Sequence, residues 1–327
     1  MQLREQREIA KADKNFEALL NNSLPQIYVD LGIDHWSPTS LNKPVGIDLI
    51  LKLIFTQEER RLFYVGPKAH FGNYPGNNHP MHVADQIWFG QSEVLNLAVH
   101  EKYNWDQMME SVQQDINAQD LSYNKTDKHQ HQHHKKLMPA VLENWHKAYK
   151  AISLQGKVIC ERTVTGDLGS HATGLGRIDY EGDHALIEYK TKPPRRGKMK
   201  ADGTYGFSTQ AIPKDVQIEH ARQTAFYWHA TGRKLKPFVA YVNEKEWKVF
   251  DPSTSDMLTV AAMEDHIEYY RQQAQLRDNL IQASQGDMKK LLGMIDPDFG
   301  HNFYWNIGDQ FVIKAKQSIN NALSKEG

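Results

Sequence analysis

The stretch Gly176-Arg177-Ile178-Asp179-Tyr180-Glu181-Gly182-Asp183-His184-Ala185-Leu186-Ile187-Glu188-Tyr189-Lys190 decides the fold. Two strand-like runs flank Gly182-Asp183, and a glycine in the first central position suits a two-residue type II′ turn. A turn there sets Glu181 opposite His184, Asp179 opposite Leu186 and Arg177 opposite Glu188. Side chains alternate faces along a strand, so Asp179, Glu188 and Lys190 share one face, and Tyr180, Ile187 and Tyr189 share the other. Asp179 and Glu188 become diagonal neighbours, roughly 7–8 Å apart at Cα. A register shifted by one residue would separate them.

Two carboxylates leaning together from adjacent strands can share a divalent cation, at about 2.1 Å from each oxygen for Mg²⁺. Such an ion supplies what phosphodiester hydrolysis lacks near neutral pH, a neutralised phosphate and a more acidic water. Lys190, on the same face, suits positioning or deprotonating the attacking water and stabilising the charge that develops on phosphate. Taken alone, the same residues also describe the solvated face of an edge strand, because any polar strand face can yield two acids and a lysine at this spacing.

The downstream sequence weighs against that plainer reading. A helix is expected from Asp215 to Ala230, with Asp215 as N-cap after Pro213 and Gly232 as the stop. Within it Gln223 and Tyr227 stand one turn apart on the same face, and Ile218, Ala221, Ala225 and Trp228 can form a buried stripe. In order, Asp179, Glu188-x-Lys190 and Gln223-x-x-x-Tyr227 resemble the motifs of the PD-(D/E)xK nuclease superfamily. The likeness is to its RecB-like exonuclease branch, which includes phage exonucleases and the mitochondrial genome-maintenance exonuclease. Strands at Lys236–Asn243 and Glu246–Asp251 also fit that core.

The resemblance implies an α/β fold with a PD-(D/E)xK restriction-endonuclease-like core, a mixed central sheet flanked by helices, with helical accessory regions. It makes Asp179 and Glu188 metal ligands, with the Tyr189 backbone carbonyl as a third donor, and Lys190 the catalytic lysine. Gln223 would bond near the scissile phosphate or Lys190, and Tyr227 would support the substrate strand. Ile178 stands where many members carry proline. An upstream helix in such enzymes offers one more ligand, here Glu93 or His100 in Phe89–His100; Glu161, on an expected strand Lys157–Thr165, is another acid that can face the site or support a neighbouring arginine. The implied activity is metal-dependent DNA exonuclease, with Mg²⁺ as cofactor and Mn²⁺ able to substitute. The implied partners are DNA, single-stranded or with free ends, and a replication or recombination protein. Two alternatives stay open, a DNA endonuclease of the same fold and a noncatalytic nucleic-acid-binding module. Such modules commonly lose one acid or the lysine, and all three are present here.

From Lys190 to Lys200 the chain carries Lys190, Lys192, Arg195, Arg196, Lys198 and Lys200 with Pro193-Pro194, which reads as a mobile basic loop. Lys192, Arg195, Arg196 and Lys198 would track phosphates, each releasing counterions on binding. The glycine-bearing loop Ala201–Phe207 follows, with Tyr205 and Phe207 available to stack on bases or to anchor it.

The remaining sequence sets limits. The chain has 327 residues, a net charge of −1 and an isoelectric point near 7.0, so any basic groove is local. The single Cys160 excludes an internal disulfide and the four-cysteine iron–sulfur cluster of some RecB-like relatives. No apolar run approaches a membrane span and the N-terminus has no signal-like core, so a cytoplasmic site in a bacterium or phage-infected cell is expected. The expected layout is an N-terminal accessory region over 1–80, opening with a polar helix over 1–22 and closing with a turn-rich linker over 72–80. A helical region follows over 81–152, closing in a helix over Lys135–Ile152. The catalytic core occupies 153–253, and a C-terminal helical region occupies 254–327, with a long helix Met257–Gln285 and a segment Phe303–Leu323 that begins strand-like. The tract His129–His134 reads as a polar join between helices, and His79, His82 and Asp85 as loop residues, in preference to metal sites.

Overall fold

The structure, a computed structural model, describes residues 24–55, 125–156, 158–192, 194–295, 297–300 and 309–324. In chain order, α1 (Gln26–Asp30), β1 (His35–Trp36), α2 (Pro38–Leu41) and α3 (Val45–Ile54) precede a long helix, α4 (Lys125–Ile152). Three strands follow, β2 (Ile159–Gly166), β3 (Thr173–Glu181) and β4 (Ala185–Thr191), then a pair, β5 (Arg195–Met199) and β6 (Tyr205–Ser208). Helix α5 (Ile218–Ala230) leads to β7 (Lys236–Val242) and β8 (Trp247–Phe250), and α6 (Val260–Ser284), α7 (Met288–Met294) and α8 (Asp309–Leu323) complete the order.

The main sheet runs β1-β3-β4-β7-β8, with β2 along the other edge of β3. Pairs β1/β3 and β4/β7 are parallel; β2/β3, β3/β4 and β7/β8 are antiparallel. The fold is therefore α/β with a mixed central sheet flanked by helices, as the sequence implies. Parallel neighbours need a crossover, and α5 supplies it between β4 and β7. Both faces of β4 are covered, so Ala185 to Tyr189 is an unbroken buried run.

Helix α4 covers one face. Trp145 stacks on Tyr149 at 5.3 Å, meets Tyr180 at 5.4 Å and takes Tyr189 edge-on at 5.8 Å. The other face carries α5, whose Ala221, Ala225 and Phe226 are wholly buried, and α6 packs behind it. Glycines set the approach of α5. A Cβ at Gly176 would lie 2.7 Å from the Tyr227 ring and 2.9 Å from that of Phe226, and one at Gly174 would lie 2.7 Å from Phe226. Any larger residue there would push the helix off the sheet.

Residues 24–55, which the sequence groups into an N-terminal accessory region, are built into this core. Strand β1 pairs with β3 through His35↔Thr173 and Trp36↔Gly174. Asp48 of α3 accepts from Arg277 Nε of α6 at 2.9 Å, while Arg277 Nη2 donates to the carbonyls of Ser40 and Lys43 at 3.1 and 3.0 Å. Arg277 is fully buried, and this network ties the early segment to α6.

Several expectations change. The turn is longer than two residues: Glu181 pairs with Leu186 and Tyr180 with Ile187, so Gly182 to Ala185 form the connection. Tertiary bonds outweigh the local signal. Asp183 N donates to Gln155 O at 3.1 Å, and Lys236 N to His184 O at 2.9 Å. Gly182 has no positive φ; a Cβ on it would meet Gln155 O at 3.0 Å, so close approach is what requires glycine. Helix α5 begins at Ile218 after Gln217, because Asp215 Oδ1 is engaged by the neighbouring Val216 N at 2.7 Å and does not cap it. The tract His129–His134 lies within α4, which starts ten residues before the expected Lys135. The expected basic loop is a two-stranded ribbon, β5 against β6. Its turn is Asp202-Gly203, with Gly203 at φ +76° and Asp202 Oδ1 accepting from Thr204 N at 2.9 Å. The polar helix 1–22, the linker 72–80, His79, His82, Asp85, Glu93, His100 and the start of Phe303–Leu323 lie outside the described residues. Among the described residues no helix is long and apolar enough to cross a membrane.

Candidate active site

Strand β3 has β2 along one edge. Its other edge is shared, with β1 at Thr173–Gly174 and β4 at Tyr180–Glu181. Between these ends, residues 175–179 lie beside no second strand among the described residues, and the sheet opens. Asp179 stands at the fork: its Oδ2 accepts from Tyr189 N at 2.7 Å, taking a backbone donor that a continued ladder would have used. The register differs by two residues from the sequence expectation, so the parity survives. Continued past Tyr180↔Ile187, it brings Asp179 nominally opposite Glu188, where the two-residue turn would have made them diagonal.

Glu188 and Lys190 project from β4 toward α5, since Ile187 and Tyr189 line the crevice against α4. Glu188 is 1% exposed and Lys190 is half-buried. Lys190 Nζ pairs with Glu188 Oε1 and donates to Gln223 Oε1 at 3.1 Å. The Gln223 Nε2 amide in turn donates to Tyr227 Oη at 2.7 Å. A continuous polar chain thus runs Glu188, Lys190, Gln223, Tyr227, crossing from strand to helix. Tyr227 is 3% exposed, and its hydroxyl orients the Gln223 amide.

Two residues missed in the sequence join this cluster. His220, one turn before Gln223, meets Tyr241 Oη through Nδ1 at 2.6 Å. Tyr241 is the register partner of Lys190 across β4/β7. Burial, then the Lys190 and Lys192 ammonium groups, hold the His220 imidazole far below its ordinary value, so it is neutral at pH 7. Burial pushes the Tyr241 hydroxyl up, with Glu188, Glu219 and Asp215 adding to it, so it keeps its proton. Nothing in the local sequence marks His220. Only the β4/β7 register brings Tyr241 beside Lys190.

Lys192 donates to Gln217 Oε1 at 2.6 Å and lies 5.2 Å over the Tyr241 ring. Arg195 and Lys198 are exposed on the ribbon, and Arg196 pairs with Phe207 by backbone register. Phe207 stacks on His133 of α4 at 4.0 Å, anchoring the ribbon at that point. The side chains of Arg196 and Glu161 lie outside the described parts of the chain.

The donor set suits a hard cation. Asp179 and Glu188 offer carboxylate oxygens from adjoining strands, and the Tyr189 carbonyl belongs to the residue whose N–H Asp179 holds. Among the described residues no group of three or more His, Cys, Asp or Glu is placed to hold an ion. Mg²⁺ is commonly bound through one or two carboxylates and completes its shell with water and substrate phosphate, so two acids fit it.

No family model matches the chain, and no curated protein matches it. Among solved structures, a candidate exonuclease from Eubacterium rectale aligns over 81% of this chain and 86% of its own, at 13% sequence identity and a TM-score of 0.39, a likeness too slight to carry an argument.

Proposed function

We propose that the chain is a metal-dependent deoxyribonuclease that hydrolyses phosphodiester bonds from DNA ends. The observation that carries this reading is the convergence of Asp179, Glu188, Lys190 and Gln223 at the fork of the sheet, with Lys190 Nζ held by both Glu188 and Gln223. Two acids and a lysine on a solvated edge strand would not be half-buried and cross-linked to a helix. Preference for free ends rests on the motif order shared with RecB-like exonucleases.

Asp179 and Glu188, with the Tyr189 carbonyl, would hold Mg²⁺ or Mn²⁺. When bound, such a cation neutralises phosphate charge and acidifies a water. The Tyr189 N–H fixes Asp179 Oδ2, which sets the direction of that carboxylate. Lys190 Nζ has three donors. Glu188 and Gln223 hold the ammonium in place, and in this reading it donates to a phosphate oxygen or to the attacking water. Gln223 fixes the lysine, because its other amide end is tied to Tyr227.

The experiment compares end-labelled linear DNA with circular DNA in Mg²⁺, Mn²⁺ or chelator. Linear DNA alone is degraded, only with metal. Asp179→Asn and Lys190→Ala each lose activity by about 10²–10³-fold, the usual scale for one removed electrostatic group, while remaining folded. Cutting of circles would identify an endonuclease. Wild-type turnover in either variant, or intact DNA under every condition, would overturn the assignment.

A further inference from the structure

Tyr241 sits at the centre of a small group of donors. Its hydroxyl has two hydrogen-bond partners, and they play opposite roles. Gln217 N can only donate to it, at 3.0 Å, and Tyr241 is wholly buried, so donation to His220 Nδ1 is the arrangement that leaves the hydroxyl proton a partner among the described residues. A ring that accepts at Nδ1 while neutral carries its proton on Nε2. The tautomer of His220 is therefore set by a backbone amide acting through a tyrosine.

The Nε2 edge faces away from Tyr241. Among the described residues it has no hydrogen-bond partner, and the ring is half-buried rather than sealed. The surrounding cations are Lys190, across the β4/β7 register from Tyr241, and Lys192, over the Tyr241 ring and bonded to Gln217 one turn before His220. Besides Glu188, the acids whose charge reaches Tyr241 are Asp215 and Glu219, both exposed to water and so screened. Two ammonium groups and one fixed N–H make a donor set for an anion. A histidine kept neutral can occupy such a set without adding a third charge.

We propose that His220 is a further substrate-binding residue, whose Nε2–H donates to a phosphate oxygen of the strand that Lys190 and Lys192 attract. The inference rests on the nuclease reading for the identity of the anion as DNA. The geometry of the donor set stands apart from it. Tyr241 acts as a positioning residue, holding the ring in the donor tautomer.

The test uses the full chain. In ¹⁵N-histidine-labelled protein, long-range proton–nitrogen correlation reads the tautomer of each ring, and His220→Gln assigns the His220 signal by its loss. At pH 7 the proton is expected on Nε2. That signal should shift on titration with a 5′-phosphorylated dodecadeoxynucleotide in EDTA, which prevents turnover, and separately with inorganic phosphate. Tyr241→Phe should let the ring populate both tautomers. In cleavage assays His220→Ala should raise KM about tenfold, the scale of one hydrogen bond to a charged group, with a smaller change in kcat. His220→Gln, which keeps an N–H at similar reach, should recover most of that loss. A proton on Nδ1 in the wild type, an Nε2 signal unmoved by both probes, or a wild-type KM in His220→Ala would each overturn the proposal. If the wild type cuts no DNA, the nuclease reading fails, and the phosphate titration still decides the role of His220.

Discussion

Gln223 uses both ends of its amide: Oε1 accepts from Lys190 and Nε2 donates to Tyr227. Neither a carboxylate nor a hydrocarbon can do both. Gln223→Leu should lower kcat by about 10- to 100-fold, the range for losing a hydrogen bond to a charged group, with circular dichroism unchanged. A variant with wild-type kcat would show that Lys190 needs no such partner. At this scale the sequence was informative where residue type and short spacing suffice: Asp179, Glu188 and Lys190 could be placed on one face because alternation survives a register error of two. It was silent on His220 and Tyr241. Their meeting depends on which residues of β4 and β7 lie side by side, and a parallel register across a crossover of more than forty residues leaves no local trace.

Among the elements, the β5/β6 ribbon shows how a basic composition can hide regular structure. Arg195, Arg196, Gly197 and Lys198 have neither strand alternation nor apolar character, so the stretch reads as a loop, although Asp202-Gly203 is of the kind that turns a hairpin. If the proposed function holds, the ribbon's exposed Arg195 and Lys198 would make a stiffer phosphate-tracking arm than a loop. Replacing both by alanine should reduce the slope of log affinity against log salt by about 0.7–0.9 for each phosphate that is no longer neutralised, without lowering Tm. Fluorescence anisotropy with labelled DNA at several salt concentrations measures it, and an unchanged slope would make the ribbon a bystander. Helix α5 teaches the complementary lesson. Its existence and stop at Gly232 were legible, whereas its close seat on Gly174 and Gly176 required the packing of Phe226 and Tyr227 to be seen.

For the whole molecule, the Asp48–Arg277 pair is the joint between early and late chain. Burial alone would raise the Asp48 carboxyl, but Arg277, Lys52 and Lys43 outweigh it and hold the group below its ordinary value. A depressed carboxylate contributes its stability above the unfolded pKa of about 4 and loses it as pH falls through the folded value. Tm should therefore drop below about pH 4, and Arg277→Met, which leaves Asp48 charged and buried, should cost about 3–5 kcal/mol in denaturant unfolding near pH 7. Much the same stability in that variant as in the wild type would discount the joint. The division of the chain into an accessory front and a central core did not foresee this pairing, because Asp48 and Arg277 are 229 residues apart and no periodicity reaches that far. The separation also bears on the order of synthesis. While a ribosome is still making the middle of the chain, Asp48 has no Arg277 to neutralise it, and β1 must wait for β3, more than a hundred residues downstream, to be translated. The joint between the early segment and the body of the fold is thus completed only once Arg277 of α6 has emerged, so a nascent or prematurely ended chain would carry Asp48 charged and without that partner.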